Sequence, residues 1–192
     1  MTPVVVIVIL VVLGAAVTVA VTVASASGGT TVSQADVQPM SANTSATYFK
    51  SAGAAFLAMS HRHVNFAVES DSNCEEHSYG LVADFFKSHP CQWLTRAYLA
   101  IHDGSLGEVL VALSWVGMPD VSSAAEYKKL AGTGGTGNIT ELSRDTGPYR
   151  SVKYDGKIYK SGIDGSSVWN MEVQPVGQIP ASFVSAVFDK FN

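Results

Sequence analysis

Twenty residues near the start of the chain, Val4 to Val23, form an almost unbroken apolar run, and no charged side chain occurs before Asp36. At about 1.5 Å rise per residue a helix of this length spans about 30 Å, the thickness of a bilayer's hydrocarbon core. β-Branched Val is a poor helix former in water. In hydrocarbon an unpaired backbone group costs several kcal/mol, and the helix is enforced. Residues 1–26 therefore read as a single N-terminal transmembrane helix, either a retained anchor or an uncleaved signal. Ala24-Ser25-Ala26 has the small-x-small form that signal peptidase accepts, so secretion after cleavage near Ala26 is the alternative. The run exceeds the usual signal-peptide apolar length and lacks a basic flank, and its length favours the retained anchor.

Lys and Arg are absent before Lys50, so the flanking charges do not set an orientation. The cysteines do. There are two, Cys74 and Cys91, and an even count in an exported domain reads as one disulfide. The expected location is the cell membrane, with the C-terminal domain extracytoplasmic. A net charge of −4 argues against nucleic acid as a partner.

Residues 27–44 are rich in Ser, Thr and Gly, the composition of a stalk too polar to build a core. Residues 45–192, about 150 in number, suffice for one domain. Helical spacing of Tyr48, Ala52, Ala55, Phe56 and Met59 predicts a helix over Ser45–His61. A second helix is expected over Tyr79–Ser88, capped by Ser78 and stopped by Pro90, with Leu81, Val82, Phe85 and Phe86 as its stripe.

The period then changes to two. Trp93–Ile101 and Glu108–Val116 read as a hairpin across Asp103-Gly104. Asp120–Ala131 reads as a helix with a Ser123-to-Glu126 capping box and Gly132 as a left-handed stop. Strands are expected at Tyr149–Tyr154, Lys157–Gly162 and Val168–Val176, joined at two Asp-Gly turns, with a closing helix after Pro180. The order α-α-β-β-α-β-β-β-α predicts an α+β domain: an antiparallel sheet of about five hairpin-linked strands, packed with helices on one face.

No catalytic constellation and no cofactor motif stands out. Cys74, His77, His89 and Cys91 could supply four zinc ligands, but an oxidising compartment favours the Cys74–Cys91 bridge, and no metal is expected. Gly132-Thr-Gly134-Gly135-Thr-Gly137 matches the dinucleotide fingerprint letter for letter, yet follows a helix where the mechanism needs a strand. It reads as a loop. Glu75 and Glu76 are adjacent and would point different ways, so paired-carboxylate chemistry is not indicated. His61 and His63 read as surface residues at a helix end.

Between Arg144 and Lys160 lie five basic residues and two acids. Tyr149, Arg150, Lys153, Tyr154, Lys157, Tyr159 and Lys160 make a candidate binding face there, suited to lipid headgroups or an anionic envelope polymer. The plainer alternative is a solvated strand face with Lys guarding an edge. Trp93, Trp115 and Trp169, one in each of three strands, suit a core.

His89-Pro-Cys91-Gln-Trp-Leu-Thr-Arg-Ala-Tyr98, Ser114-Trp-Val-Gly-Met-Pro119, Gly137-Asn-Ile-Thr-Glu-Leu142 and Val168-Trp-Asn-Met-Glu-Val-Gln-Pro175 resemble segments of an actinobacterial family of membrane-anchored extracytoplasmic proteins without known activity. The resemblance implies a membrane-attached exported domain with the paired cysteines in its pattern, and it transfers no site residues. The function expected is binding, sensing or envelope assembly without catalysis, with the membrane and an envelope protein or polymer as partners. The alternatives are a hydrolase-like envelope enzyme and a small zinc-binding domain. The oligomeric state is not legible.

Overall fold

The computed structural model describes residues 7–13, 16–22, 64–102 and 106–189. The chain divides into two compact units, residues 1–39 and 40–192, each described by itself. The expected helix at Ser45–His61, the residue 27–44 stalk, and His61 and His63 lie outside the described residues.

In the first unit, β1 (Ile7–Leu13) and β2 (Ala16–Thr22) pair antiparallel, in register from Leu13↔Ala16 to Ile7↔Thr22. These two strands stand where one continuous helix was expected. No helix among the described residues is long and apolar enough to cross a membrane. The physical reason lies in the side chains: an unbroken apolar run has no period to distinguish helix from strand, and Val, Ile and Thr favour the pleated backbone.

The second unit holds a five-stranded antiparallel sheet in the order β3-β4-β5-β7-β6. Its strands are β3 (Val64–Asp71), β4 (Trp93–His102), β5 (Gly107–Gly117), β6 (Tyr159–Asp164) and β7 (Ser167–Gly177). The helices are α1 (Leu81–Ser88), α2 (Val121–Ala131), the single turn α3 (Leu142–Asp145) and α4 (Ala181–Asp189). The expected α+β class and strand number hold.

Alternation along the strands divides the core in two. Ala97, Leu99, Ile101, Val109, Val111, Leu113, Trp115, Met171 and Val173 point to one face and pack with Val184 and Val187 of α4. Trp93 and Trp169 pack against this cluster, and Trp115 stands opposite Trp169 with ring centroids 6.3 Å apart. On the other face Leu94, Val116 and Val168 meet Val82, Phe86, Ala124 and Tyr127, while Tyr98, Ala100 and Leu110 meet Leu142 and Tyr149. Helices therefore cover both faces, not one. That is why β4 and β5 are buried at nearly every position.

Local chemistry explains where boundaries moved. α1 starts at Leu81 because Gly80 precedes it at φ +66°, a conformation Ser does not favour. Ser78 instead bridges Ile139. Asp120, not Ser123, caps α2: its carboxylate accepts from the Ser123 N–H at 2.8 Å and the Ser123 hydroxyl at 2.9 Å. Gly132 ends α2 in the right-handed region rather than as a left-handed stop. Tyr149–Tyr154 is not a strand. The Val152 N–H closes a turn on the Tyr149 carbonyl at 3.0 Å, and Tyr149 is drawn into the core against Tyr98. Asp155-Gly156 is consequently not a hairpin turn, whereas Gly165 does lie in the two-residue link joining β6 to β7. β3 and α3 were not expected from the sequence.

Candidate ligand cleft

The face of the sheet that carries α1, α2 and α3 also carries polar side chains on its strands. On β7, Asn170 and Glu172 alternate with Trp169, Met171 and Val173, so both point under these helices. The Asn170 amide donates to the Tyr127 hydroxyl at 2.8 Å and to Ser114 Oγ at 3.3 Å, and its carbonyl accepts from the Tyr159 hydroxyl at 2.7 Å. The Tyr127 phenol, entirely buried, is pushed well up by desolvation. Through Tyr159 this network reaches the wall of a cleft.

The cleft has a volume of about 440 Å³. One wall is the glycine-rich segment 132–137; the others come from Tyr79-Gly80 ahead of α1, Tyr154-Asp155-Gly156, Tyr159 on β6 and Glu172 on β7. A recess of about 20 Å³ shares Asn138, Tyr159 and Glu172 with it and reaches Ser114, Glu141 and Asn170. Among the described residues, no Lys or Arg lines either one.

Two parts of the glycine-rich segment behave differently. Gly137 (φ +95°) runs against Tyr79-Gly80 so closely that a Cβ there would collide with the Tyr79 carbonyl. The Tyr79 N–H donates to the Asn138 carbonyl at 3.0 Å, and the Val82 N–H to the Thr136 carbonyl at 3.3 Å. A first-turn amide of α1, the kind of group that would meet a phosphate, is thus already occupied by the loop. Gly134 and Gly135 have nothing within 4 Å of an added Cβ and form an open rim. The fingerprint spacing serves a backbone clamp and a bare edge, with acidic groups facing it.

Two acids here, Glu172 and Glu141, are unusual for their burial, while Asp155 is exposed. Glu172 accepts the Gly156 N–H at 2.7 Å, and desolvation, reinforced by Glu141 and Asp155, raises its pKa to about 7. Glu141, at the start of α3, is raised chiefly by burial, against the lowering effect of Arg144 at 3.6 Å. Its Oε2 is buried without a hydrogen-bond partner. Asp155 is held low by hydrogen bonds from Lys157 and pairs with it at 2.7 Å. Among the described residues Glu172 forms no ion pair. The Tyr79, Tyr154 and Tyr159 phenols are all raised, burial leading in each. The site therefore offers hydrogen-bond acceptors, aromatic rings and one carboxyl able to gain or lose a proton near neutrality.

A second polar group sits at the end of the sheet: His102 Nδ1 lies 3.0 Å from Glu108, and Asn65 Nδ2 lies 3.2 Å from His102 Nε2. The Tyr149 phenol, next to Glu108, is raised to about 12, burial leading.

The residues singled out in the sequence are scattered. Cys74 and Cys91 form the disulfide, with Cα atoms 6.1 Å apart, so the zinc alternative loses both thiolates. His77 turns to Asp71 at 3.1 Å, while His89 stacks on Phe85 with centroids 4.4 Å apart. Among the described residues no group of three or more His, Cys, Asp or Glu is placed to hold a metal ion. Of the candidate basic face, Tyr149 is buried, Arg150 and Lys153 are exposed, Lys157 is tied to Asp155, and Lys160 faces the sheet side opposite Tyr159. Tyr154 donates to or accepts from Ser143 at 3.2 Å and, with Tyr159, joins the cleft wall.

Glu172, Glu141, Asn170 and Tyr79 were not recognised in the sequence. The available signal was Asn170 and Glu172 as polar residues alternating in phase with a strand's buried positions.

No protein-family model, no curated protein and no solved structure matches this chain.

Proposed function

We propose that this protein is a membrane-attached, extracytoplasmic binding domain whose ligand occupies the cleft between the glycine-rich rim and β7. The observation that carries the reading is the cleft itself: about 440 Å³ within reach of three tyrosines and a carboxyl that pairs with no described cation. Concave sites of several hundred Å³, largely aromatic or apolar with a few convergent polar groups, are where small ligands bind. Catalysis is not part of the proposal, since among the described residues no nucleophile with an adjacent base lines the cleft. The Glu141–Glu172 pair favours an envelope hydrolase as the second reading, because a carboxyl at about 7 can serve as a general acid.

Attachment runs through the uncharged apolar segment Val4–Val23. In a bilayer the outer edges of a two-stranded pair would be unpaired, so there the segment takes the helical form. The disulfide supports export, as does the likeness to actinobacterial membrane-anchored segments. Thiol labelling of intact cells checks the topology. Cys74 and Cys91 are expected to resist a maleimide until an impermeant reductant is added outside; thiols that react only after lysis would refute export.

Fragment titration of the full chain in detergent, followed by NMR, tests the site. Amines, sugars and amino acids are screened against wild type and Gly134→Phe, a substitution into open space that obstructs the rim. Shifts gathered at Tyr79, Gly135, Tyr159 and Glu172 and lost in G134F support the reading. Fragments that bind elsewhere and leave these signals unmoved would overturn it. Turnover of a sugar or ester fragment, abolished by E172Q, would establish the hydrolase instead.

A further inference from the structure

The geometry points to an organic cation as the cleft's ligand: a primary ammonium on an alkyl chain, lying along the tyrosines with its charge at Glu172. This rests on the reading of the cleft as a ligand site and names the chemistry it takes.

The charge arrangement argues for it. The carboxylates facing Glu172 are Glu141 from the start of α3 and Asp155 from the loop before β6. Glu141 is balanced by Arg144 and Asp155 by Lys157, while Glu172 has no such counterion among the described residues. Tyr79, Tyr154 and Tyr159 are the other titratable groups of the cleft; the glycine-rich segment contributes none, and β5 presents Ala112 opposite Glu172. An anion would meet two acids and, among the described residues, no lining cation. A neutral ligand would leave ionised Glu172 without a counterion among the described residues. A cation supplies the missing charge, and tyrosine faces attract it through their ring quadrupoles. Tyr79, close to half exposed, stands at the mouth where the alkyl chain would pass.

Protonation follows from the same geometry. Only ionised Glu172 attracts the ammonium, and its carboxyl titrates at about 7 in the empty cleft. Below neutrality, binding therefore expels a proton from Glu172 to the buffer. With affinity proportional to the ionised fraction, binding weakens about ten-fold from pH 8 to pH 6. Other carboxyls in the cleft do not reverse this sign, since each is more ionised at the higher pH.

The test is an NMR titration of the full chain in detergent with n-butylammonium, with the peptide Gly-Lys-Gly and with neutral n-butanol, at pH 6 and pH 8. The ammonium compounds are expected to move Tyr79, Tyr159 and Glu172, about ten-fold more tightly at pH 8, and butanol to leave them in place. Tighter binding of the peptide than of butylammonium assigns the cation to a lysine side chain; equal binding assigns it to a free amine. E172Q keeps an acceptor for the Gly156 N–H and is expected to lose both the pH dependence and at least ten-fold in affinity. Tyr79→Ala, at an exposed position, is expected to weaken binding several-fold while melting like wild type. Butanol binding as well as butylammonium, or an E172Q affinity equal to wild type, would overturn the cation and leave the cleft a ligand site. Absence of any ammonium binding overturns the cation too, and the fragment screen then decides separately whether the cleft binds anything.

Discussion

Asp145→Ala is expected to destabilise the domain by about 3 kcal/mol, because it leaves a charge buried without its closest partner. The Arg96 side chain is only 1% exposed. Its guanidinium donates to Asp145 at 2.6 Å, to Glu69 at 3.2 Å and to the Thr140 carbonyl at 3.2 Å, so it ties α3 and the segment before it to the sheet. Both acids are partly exposed, and neither loss is itself expensive; the cost arises at Arg96, which cannot shed its proton. Arg96→Met removes the charge together with its need for partners and is expected to cost less than Asp145→Ala. Urea unfolding of the full chain, followed by near-ultraviolet circular dichroism, measures both. For a domain of this size 3 kcal/mol corresponds to a melting shift of about 6–12 °C. If Arg96→Met proves the more damaging, the arginine acts through its packed stem rather than its charge.

Removing the disulfide should have a comparable effect. Cys74 and Cys91 are 17 residues apart, and freeing a loop of that length in the unfolded chain costs about 3 kcal/mol on the chain-entropy estimate. Both cysteines are buried in the cluster that holds Val82, Phe86 and Tyr127, so the bridge also secures α1 against α2. The double variant Cys74→Ala with Cys91→Ala is expected to melt about 6–12 °C lower. Losses in hydrogen-exchange protection should centre on α1 and the glycine-rich loop clamped to it. A double variant melting within about 2 °C of wild type would mean that packing alone holds α1.

Much of the fold was readable because its signals are local. Trp93 to Ile101 alternate, Asp164-Gly165 announces a turn, and Pro180 opens a helix; each depends on neighbours within a few residues. The disulfide was readable from cysteine number and the apolar run. β3 was missed because Val64–Asp71 is an edge strand with Asn65, Glu69 and Ser70 exposed, so it lacks an apolar alternation. Tyr149–Tyr154 was misread because its tyrosines pack against Tyr98, Ser143 and the cleft, partners far along the chain.

The cleft was hidden for the same reason. Tyr79, the stretch from Gly134 to Glu141, and Glu172 come from three parts of the chain separated by long stretches of sequence, and nothing local relates them. By itself the sequence determined α1, α2 and α4, the central strands, the covalent bridge and the uncharged apolar segment, since side-chain period, turn residues and charge act over a few neighbouring positions. Only the tertiary structure decided that Glu172 loses water without gaining a counterion among the described residues. Desolvation and charge pairing depend on what other segments bring to a point in space, and spacing along the chain does not encode that point.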